Sequence, residues 1–310
     1  MAPAADQKNS YDEPLEAKRD VTALVTNVSP KDSPFFSMIG TTTATNRKKE
    51  SITDTLAAAN KDNALVEGDD FVNEALSNRA FEDNVTQIFK KVIDVSETQE
   101  AVDKYGGINS ELTYQTTKAM KEIATDIEDA YINGTKAVGN ATTARKLGGL
   151  ITQTTTNTVT VSDAGDPGVW TGTTDANLDA FEEELNNLFE TGFDTGETFD
   201  TVLVGGDRKR RISKLTLRVT RNTDADQKRQ TLVVDVYDSD FGEMKIVLDR
   251  YVPDAQVLAV SRSMYMTAFL RRITQQRLAK TSDGTRFAIV GELTLHIMTE
   301  KAGGKMSQVA

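Results

Sequence analysis

Few residues in this chain could carry catalysis or bind a metal. Its 310 residues include one histidine, His296, and no cysteine. Thiol catalysis, disulfides and thiolate metal sites are therefore excluded, and a Ser-His-Asp triad or a His-rich metal site has little to be built from. His296 lies in the alternating stretch Leu-Thr-Leu-His-Ile-Met, which predicts an ordinary strand residue.

Two short motifs have weak binding potential. A strand at 201–204, the turn Gly205-Gly206-Asp207 and a basic helix could hold an anion at the helix start, but neither phosphate-loop pattern occurs in the chain. The motif at 238–242, Asp-Ser-Asp-Phe-Gly, lacks the later glutamate and the flanking helices of a calcium loop and predicts a hairpin turn. Because no nucleophile, base or acid pair stands out, we expect no enzyme, no cofactor and no metal.

The most regular predicted element is an amphipathic helix over residues 109–134. Asn109 is a candidate N-cap, and Gly134 is a candidate left-handed residue at the C-terminal end. At about 1.5 Å per residue this helix is about 36 Å long and needs a sheet to lie on. Its predicted apolar face comprises Leu112, Met120, Ile123, Ile127 and Tyr131.

Three segments are predicted to form that sheet. Residues 85–95 alternate as a strand does, and the turn 282–284, Ser-Asp-Gly, predicts a hairpin with arms at 271–280 and 286–298. A second amphipathic helix is predicted at 176–191, with Gly192 as its stop.

Charge is divided between two neighbouring segments. The net charge is −11; residues 147–206 hold eleven carboxylates and no Lys or Arg, whereas residues 207–230 hold nine basic side chains and three acidic ones. These segments are either solvated faces or complementary surfaces that meet between copies of the chain. The candidate contact residues are Glu182, Glu183, Arg208, Arg210 and Arg211.

The basic run also suggests a nucleic-acid-binding module centred on residues 208–229. The four consecutive basic residues 208–211 point around a helix instead of along one face, and no aromatic side chains interleave them. This alternative is therefore weaker than a contact between copies.

The sequence has no signature of export or of a membrane span. No run of about 18 apolar residues occurs, and residues 1–30 lack the apolar core of a signal peptide. We therefore expect a soluble protein that is not exported and does not enter a membrane.

Two segments near the start have the character of contact elements. Phe35, Phe36, Met38 and Ile39 form a tight apolar cluster that must be buried on this subunit or on a neighbour. Residues 41–80 are poor in large apolar side chains, which predicts an extended, two-stranded excursion away from the domain. Within it, the basic run of Arg47, Lys48 and Lys49 is either a solvated turn or a grip on a partner's carboxylates.

Four motifs, in this order, resemble a family of tailed-phage major capsid proteins with the Hong Kong 97-type fold. They are Ser29–Ile39, Thr98–Lys104, Ala144–Leu150 and Val234–Gly242. The resemblance implies an α+β fold with an N-terminal arm at 1–36, an extended loop at 37–84, a peripheral domain at 85–150 containing the spine helix, an axial domain at 151–269, and return strands of the peripheral domain at 270–310.

The resemblance implies a structural function without catalytic residues. Many copies would form hexamers and pentamers of a virion shell, assembled in the host cytoplasm, that encloses double-stranded DNA without reading its sequence. Scaffolding, portal and decoration proteins are possible partners. A nanocompartment shell that encloses a protein cargo is the alternative. An acidic lining would also avoid the attraction that basic surfaces exert on DNA, which we treat as a hypothesis.

Overall fold

A computed structural model describes residues 33–70, 78–102, 110–162, 170, 174–219, 236–280 and 283–309. Most of the predicted N-terminal arm, residues 1–32, lies outside this range. The helices are α1 (Pro34–Met38), α2 (Glu97–Ala101), α3 (Glu111–Asn133), α4 (Leu150–Gln153), α5 (Asp175–Asp194) and α6 (Gly206–Val219). The strands are β1 (Gly40–Thr43), β2 (Lys48–Thr53), β3 (Ala80–Val85), β4 (Gln87–Ser96), β5 (Asn157–Ser162), β6 (Thr201–Val204), β7 (Val236–Ser239), β8 (Gly242–Leu248), β9 (Gln256–Val260), β10 (Tyr265–Arg277), β11 (Gly284–Ile297) and β12 (Gly303–Val309).

The long helix α3 lies on a four-stranded sheet with the order β1-β10-β11-β4. β11 pairs antiparallel with both β10 and β4, and the short β1 adds in parallel to β10. Alternate residues of the sheet, including Phe89, Ile93, Ile289 and Leu293, pack in one core with the buried face of α3. The predicted sheet, formed by residues 85–95 and the two arms around the turn at 282–284, is therefore confirmed. Ser282 of that turn lies outside the described residues.

The ends of α3 differ from the predicted ones. The N-cap is Ser110, whose Oγ accepts a hydrogen bond from the Thr113 amide at 3.2 Å, while Asn109 lies outside the described residues. Gly134 does not adopt a left-handed conformation, because its φ is −55°. A glycine is required there by close packing, since a Cβ would lie 2.3 Å from the Ala130 carbonyl oxygen. On the apolar face, Ala119 is buried and Met120 is exposed.

A second, six-stranded sheet has the order β5-β12-β9-β6-β8-β7. It corrects three predicted boundaries. β12 pairs with β5 and β9, so residues 303–309 do not belong with the spine-helix sheet. β10 begins at Tyr265, before the predicted 270, and β1 joins the four-stranded sheet although it was predicted as loop. Local patterning predicts a strand, but the choice of partner strand depends on residues far away in sequence.

Helices α5 and α6 pack in the core of this six-stranded sheet. The core includes Phe181, Leu185 and Leu188 of α5 and Ile212 and Leu215 of α6. α5 continues past the predicted stop at Gly192 to Asp194. Gly192 is a packing residue, because a Cβ there would lie 2.5 Å from the Phe199 ring.

Strands β2 and β3 form a separate antiparallel hairpin, here called the hairpin. The residues between the two strands are exposed where the structure describes them, over 54–70 and 78–79. The two-stranded excursion predicted from the poor apolar content of residues 41–80 is therefore confirmed. Within the described part of the chain, none of the helices is long and apolar enough to span a membrane.

Candidate assembly interfaces

Helix α1 packs into its own subunit. The Phe35 side chain is fully buried and meets the Tyr131 and Tyr265 rings edge-on, with centroid distances of 6.3 and 5.9 Å. Phe36 and Met38 are half-buried against the same core, and Ile39 is buried. Phe35 and Ile39 were predicted as interface residues, and this prediction is corrected: both side chains are enclosed by the subunit and present no surface to a neighbour.

The buried carboxylate of Glu128 holds the start of α1 on α3. Its two oxygens accept hydrogen bonds from the backbone amides of Phe35 and Phe36, each at 2.7 Å. The carboxyl group of Asp249, also buried, is a neighbour of Glu128 and accepts a hydrogen bond from the Tyr251 amide at 2.9 Å. Burial, followed by the influence of the neighbouring Asp249, raises the pKa of Glu128 to about 8, and burial also raises the pKa of Asp249.

Sequence reasoning did not identify Glu128. A signal was present, because Glu128 directly follows Ile127 and lies four residues before Ile132, so it falls within the apolar stripe of α3. A carboxylate in such a stripe must find hydrogen-bond donors from another element. Those donors come from α1, more than ninety residues away in sequence.

The three basic residues 47–49 differ in their surroundings: one is exposed, and the other two make contacts within the subunit. Arg47 is exposed. Lys48 forms ion pairs within the hairpin, with Glu50 at 2.7 Å and Asp83 at 3.6 Å. Lys49 is half-buried and donates to the Thr43 carbonyl at 3.3 Å. Of the three predicted contact residues, Arg47 is therefore the one with the greatest freedom to bind a partner.

The hairpin also exposes large apolar side chains. Ile52 and Phe81 are directly opposite in the β2–β3 register and are 62% and 63% exposed. Leu56, Leu65 and Val66, in the segment after β2, are exposed as well. Such a group on a two-stranded element is typical of a surface that another chain covers.

Two arginines of the predicted basic surface are internal. The Arg208 guanidinium lies 4.8 Å from the centre of the Trp170 ring, and its Nη1 donates to the Trp170 carbonyl. Arg211 lies 4.9 Å from the centre of the Phe181 ring and donates to the Asn177 carbonyl at 3.0 Å. The interface predictions for both residues are corrected, because each side chain is buried against its own subunit.

Arg210 and Lys214 remain on the solvent side of α6, one helical turn apart. The outer face of α5 is acidic, and its exposed carboxylates are Asp175, Asp179, Glu183, Glu190 and Asp194. Glu182 is half-buried and accepts a hydrogen bond from the Tyr237 hydroxyl at 3.2 Å. Glu183 and Arg210 are therefore predicted contact residues that lie at the surface with opposite charge.

His296 is a strand residue, as predicted. It is half-buried in β11, with Nδ1 3.4 Å from the Ser51 hydroxyl of β2. Burial and the nearby Lys49 lower its pKa. Within the described ranges, no three histidine or carboxylate side chains lie close enough together to hold a metal ion.

Comparisons with known proteins agree on one class. The sequence matches the family described as SU10 major capsid protein over residues 5–310. The major capsid protein of Escherichia phage Phieco32 is 38% identical over 115 residues, which are 34% of this chain and 30% of that protein's length. The chain therefore spans about a third of the curated relative it matches.

Solved structures extend the similarity to the whole chain. The capsid of a native GTA particle has a TM-score of 0.67 at 9% identity and covers 99% of this chain and 100% of its own. A structure from Mycobacterium phage Bobi has a TM-score of 0.65 at 12% identity, with 97% and 99% coverage. At these identities the match shows the fold alone, and it confirms the α+β, Hong Kong 97-type capsid fold. With the family match extending over residues 5–310, the chain belongs to the SU10 major capsid protein family.

Proposed function

We propose that many copies of this chain assemble, as hexamers and pentamers, into the shell that encloses the double-stranded DNA of a tailed phage. The observation that carries the proposal is the hairpin, on which Ile52 and Phe81 are more than half exposed among the described residues. A stable contact between proteins needs more than about 1,000 Å² of buried surface, and an element that reaches away from the domain can supply it on a neighbour.

In this proposal, each part expected of a capsid subunit corresponds to an element of the fold. The peripheral domain would be the four-stranded sheet with α3, and the axial domain the six-stranded sheet with α5 and α6. The hairpin would be the extended loop, and the residues before α1 the N-terminal arm. The chain would have a structural role without catalysis or sequence-specific DNA binding, in a virion assembled in the host cytoplasm, with scaffolding, portal and decoration proteins as further partners.

A nanocompartment around a protein cargo is the weaker alternative. The family and the curated relative carry the names of phage capsid proteins, which favours a genome as the content. Portal and terminase genes beside the gene for this chain would support the phage shell, whereas a neighbouring cargo enzyme would support the alternative.

The first test is assembly itself. The chain is co-expressed with its phage's assembly factors, and the product is imaged by negative-stain electron microscopy. We expect closed shells of uniform size. Persistent monomers under these conditions would contradict the proposal.

Besides the contact made by the hairpin, the proposal includes a second contact between subunits. It joins the acidic face of α5 on one copy to Arg210 of α6 on the next. Opposite charges across an interface set register and discourage wrong partners. Arg210→Glu or Glu183→Lys alone should lower the yield of shells, and the double variant should restore it. Lys121→Glu, an exposed reversal on α3, is the control.

Two other outcomes of this charge-reversal experiment are informative. If neither reversal changes the shell yield, the contact between α5 and α6 is wrong. If Glu183→Lys leaves assembly intact but slows release of packaged DNA, the acidic face lines the interior instead, because added positive charge there would bind phosphate.

A further inference from the structure

The hairpin joins the four-stranded sheet through a short, buried link. β3 ends at Val85 and β4 begins at Gln87, so Thr86 alone separates a strand of the hairpin from a strand of the four-stranded sheet. Asn84, Val85 and Thr86 are all buried, in contrast to residues 54–70 between the two strands, which are exposed. These three residues form the root of the hairpin, which fixes it to the four-stranded sheet together with the contacts of Ser51 with Ile297 and of Lys136 with Asp83.

Asn84 binds the hairpin root to two other segments. Its side-chain amide donates to the carbonyls of Gly148 at 2.9 Å and Leu295 at 2.8 Å. Its Oδ1 accepts from the amides of Gly148 at 2.8 Å and Val85 at 2.9 Å. The two donors and two acceptor positions of the asparagine are therefore all used.

Thr86 binds the root to a buried charge. Its hydroxyl donates to Glu292 Oε1 at 2.8 Å, and its backbone amide donates to the Arg47 carbonyl at 2.8 Å. The Glu292 carboxylate, only 4% exposed, also accepts from Arg145 at 2.6 Å and from Arg271 at 3.0 Å. Two guanidinium groups and a hydroxyl thus satisfy this carboxylate.

Asn84 and Thr86 are bonded to Gly148, to Leu295 and Glu292 of β11 and to the Arg47 carbonyl. Through Glu292 they are also linked to Arg145 and to Arg271 of β10. Turning the hairpin would break several of these buried hydrogen bonds together, and each polar group left unpaired would carry a desolvation cost. The 144–150 motif noted in the sequence thereby has a structural role, because it supplies Arg145 and Gly148.

We propose that Asn84, Thr86, Arg145 and Glu292 form a root clamp that holds the hairpin in one direction before assembly. A contact element held in its bound direction loses less conformational entropy on binding. The clamp residues are positioning residues, since they do not lie on the exposed apolar surface. The consequence for shell geometry rests on the proposed hairpin contact, whereas the fixed direction is a property of the single subunit.

The test is a distance measurement on the unassembled full chain. Because the chain has no cysteine, Ala80→Cys on β3 and Thr117→Cys on α3 place two spin labels at exposed positions without further changes. Electron–electron double resonance should give one narrow distance distribution. Thr86→Val, which keeps the side-chain shape but removes the hydroxyl, should broaden or shift it.

The matched control is Thr267→Val. Thr267 is another fully buried threonine with one side-chain hydrogen bond, from the Tyr131 hydroxyl at 3.1 Å, and it lies outside the clamp. Its distance distribution should equal that of the parent. Should Thr86→Val fail to fold, Arg145→Lys tests the same clamp at a side chain with more solvent access. A clamp variant with the parent's distribution would overturn the inference.

Shell imaging separates the clamp from the proposed contact. Thr86→Val is expected to yield shells of irregular size, and Thr267→Val regular ones. If Thr86→Val broadens the distances but its shells stay regular, the clamp stands and the hairpin contact of the proposed function is wrong.

Discussion

Helix α1 and the hairpin both precede α3 in the chain, and both carry large apolar side chains, but they use them in opposite ways. Phe35 of α1 is completely buried between two tyrosines of its own subunit. Ile52 and Phe81 of the hairpin form a cross-strand pair that is more than half exposed. The comparison separates apolar residues that fold the subunit from apolar residues that are available to join subunits.

This comparison predicts that the two regions respond oppositely to a charged substitution. Changes at buried positions should lower the free energy of unfolding of the subunit, whereas changes on the hairpin should affect mainly assembly. Four experiments follow, from the largest expected effect on subunit stability to the smallest.

Phe35→Asp should have the largest effect on the subunit. Removing a buried phenylalanine costs about 3–5 kcal/mol, and an unpaired buried carboxylate adds to this cost. We expect the free energy of unfolding, measured by urea denaturation of the monomer, to fall by more than about 4 kcal/mol. Ser37→Asp, on the exposed side of the same helix, is the control and should change it little. An unchanged urea midpoint for Phe35→Asp would show that α1 does not anchor in the core.

The Glu128–Asp249 pair should make subunit stability depend on pH. Burial raises the pKa of Glu128 from 4.5 to about 8, so between these values the folded subunit keeps a proton that the unfolded chain has lost. Stability therefore falls as pH rises through this window, by at most about 1.4 kcal/mol per pH unit. The raised pKa of Asp249 acts in the same direction, and the neighbouring Asp129 adds negative charge.

Glu128→Gln removes the titrating group and should flatten the pH dependence of the free energy of unfolding between about pH 5 and 8. Glu122→Gln, on a more exposed part of α3, is the control and should keep the parent's slope. Parallel profiles for parent and Glu128→Gln would rule out this carboxyl as the source.

Two adjacent arginines of α6, one buried and one exposed, should differ in how much they contribute to subunit stability. Arg211→Ala loses the contact with the Phe181 ring and the hydrogen bond to the Asn177 carbonyl, and should lower the free energy of unfolding by about 1–3 kcal/mol. Arg210→Ala changes an exposed side chain and should stay within about 0.5 kcal/mol. Chemical denaturation of both variants is the measurement, and equal losses would contradict the assignment of Arg211 to the interior.

The double change Ile52→Asp and Phe81→Asp should have the smallest effect on subunit stability and the largest on assembly. Loss of an exposed cross-strand pair costs about 0.2–1 kcal/mol, so the subunit should remain folded. Sedimentation should find it unassembled under conditions that give shells of the parent. Thr55→Asp with Asn78→Asp adds the same charge near the hairpin without removing apolar surface, and should still assemble. Normal shells from the Ile52/Phe81 variant would place the contact elsewhere.

Much of the fold could be predicted from local pattern. The period of Ile123, Ile127 and Tyr131 identified α3, and the Asp-Gly turn identified the β10–β11 hairpin. Helix ends were less accurate, because Gly134 and Gly192 are needed for close packing, against the Ala130 and Leu147 carbonyls and against the Phe199 ring, instead of for a turn. Strand partners such as those of β12 were predicted wrongly, because pairing joins residues far apart in sequence.

The candidate interface shows the same division. Composition and periodicity were enough to predict that the excursion is extended and that one segment is acidic and the next basic, because these properties are expressed locally. The packing of distant elements was needed to establish that Phe35, Arg208 and Arg211 face inward while Ile52, Phe81 and Arg210 face outward. Burial depends on which other elements cover a side chain, and those elements come from the whole length of the chain.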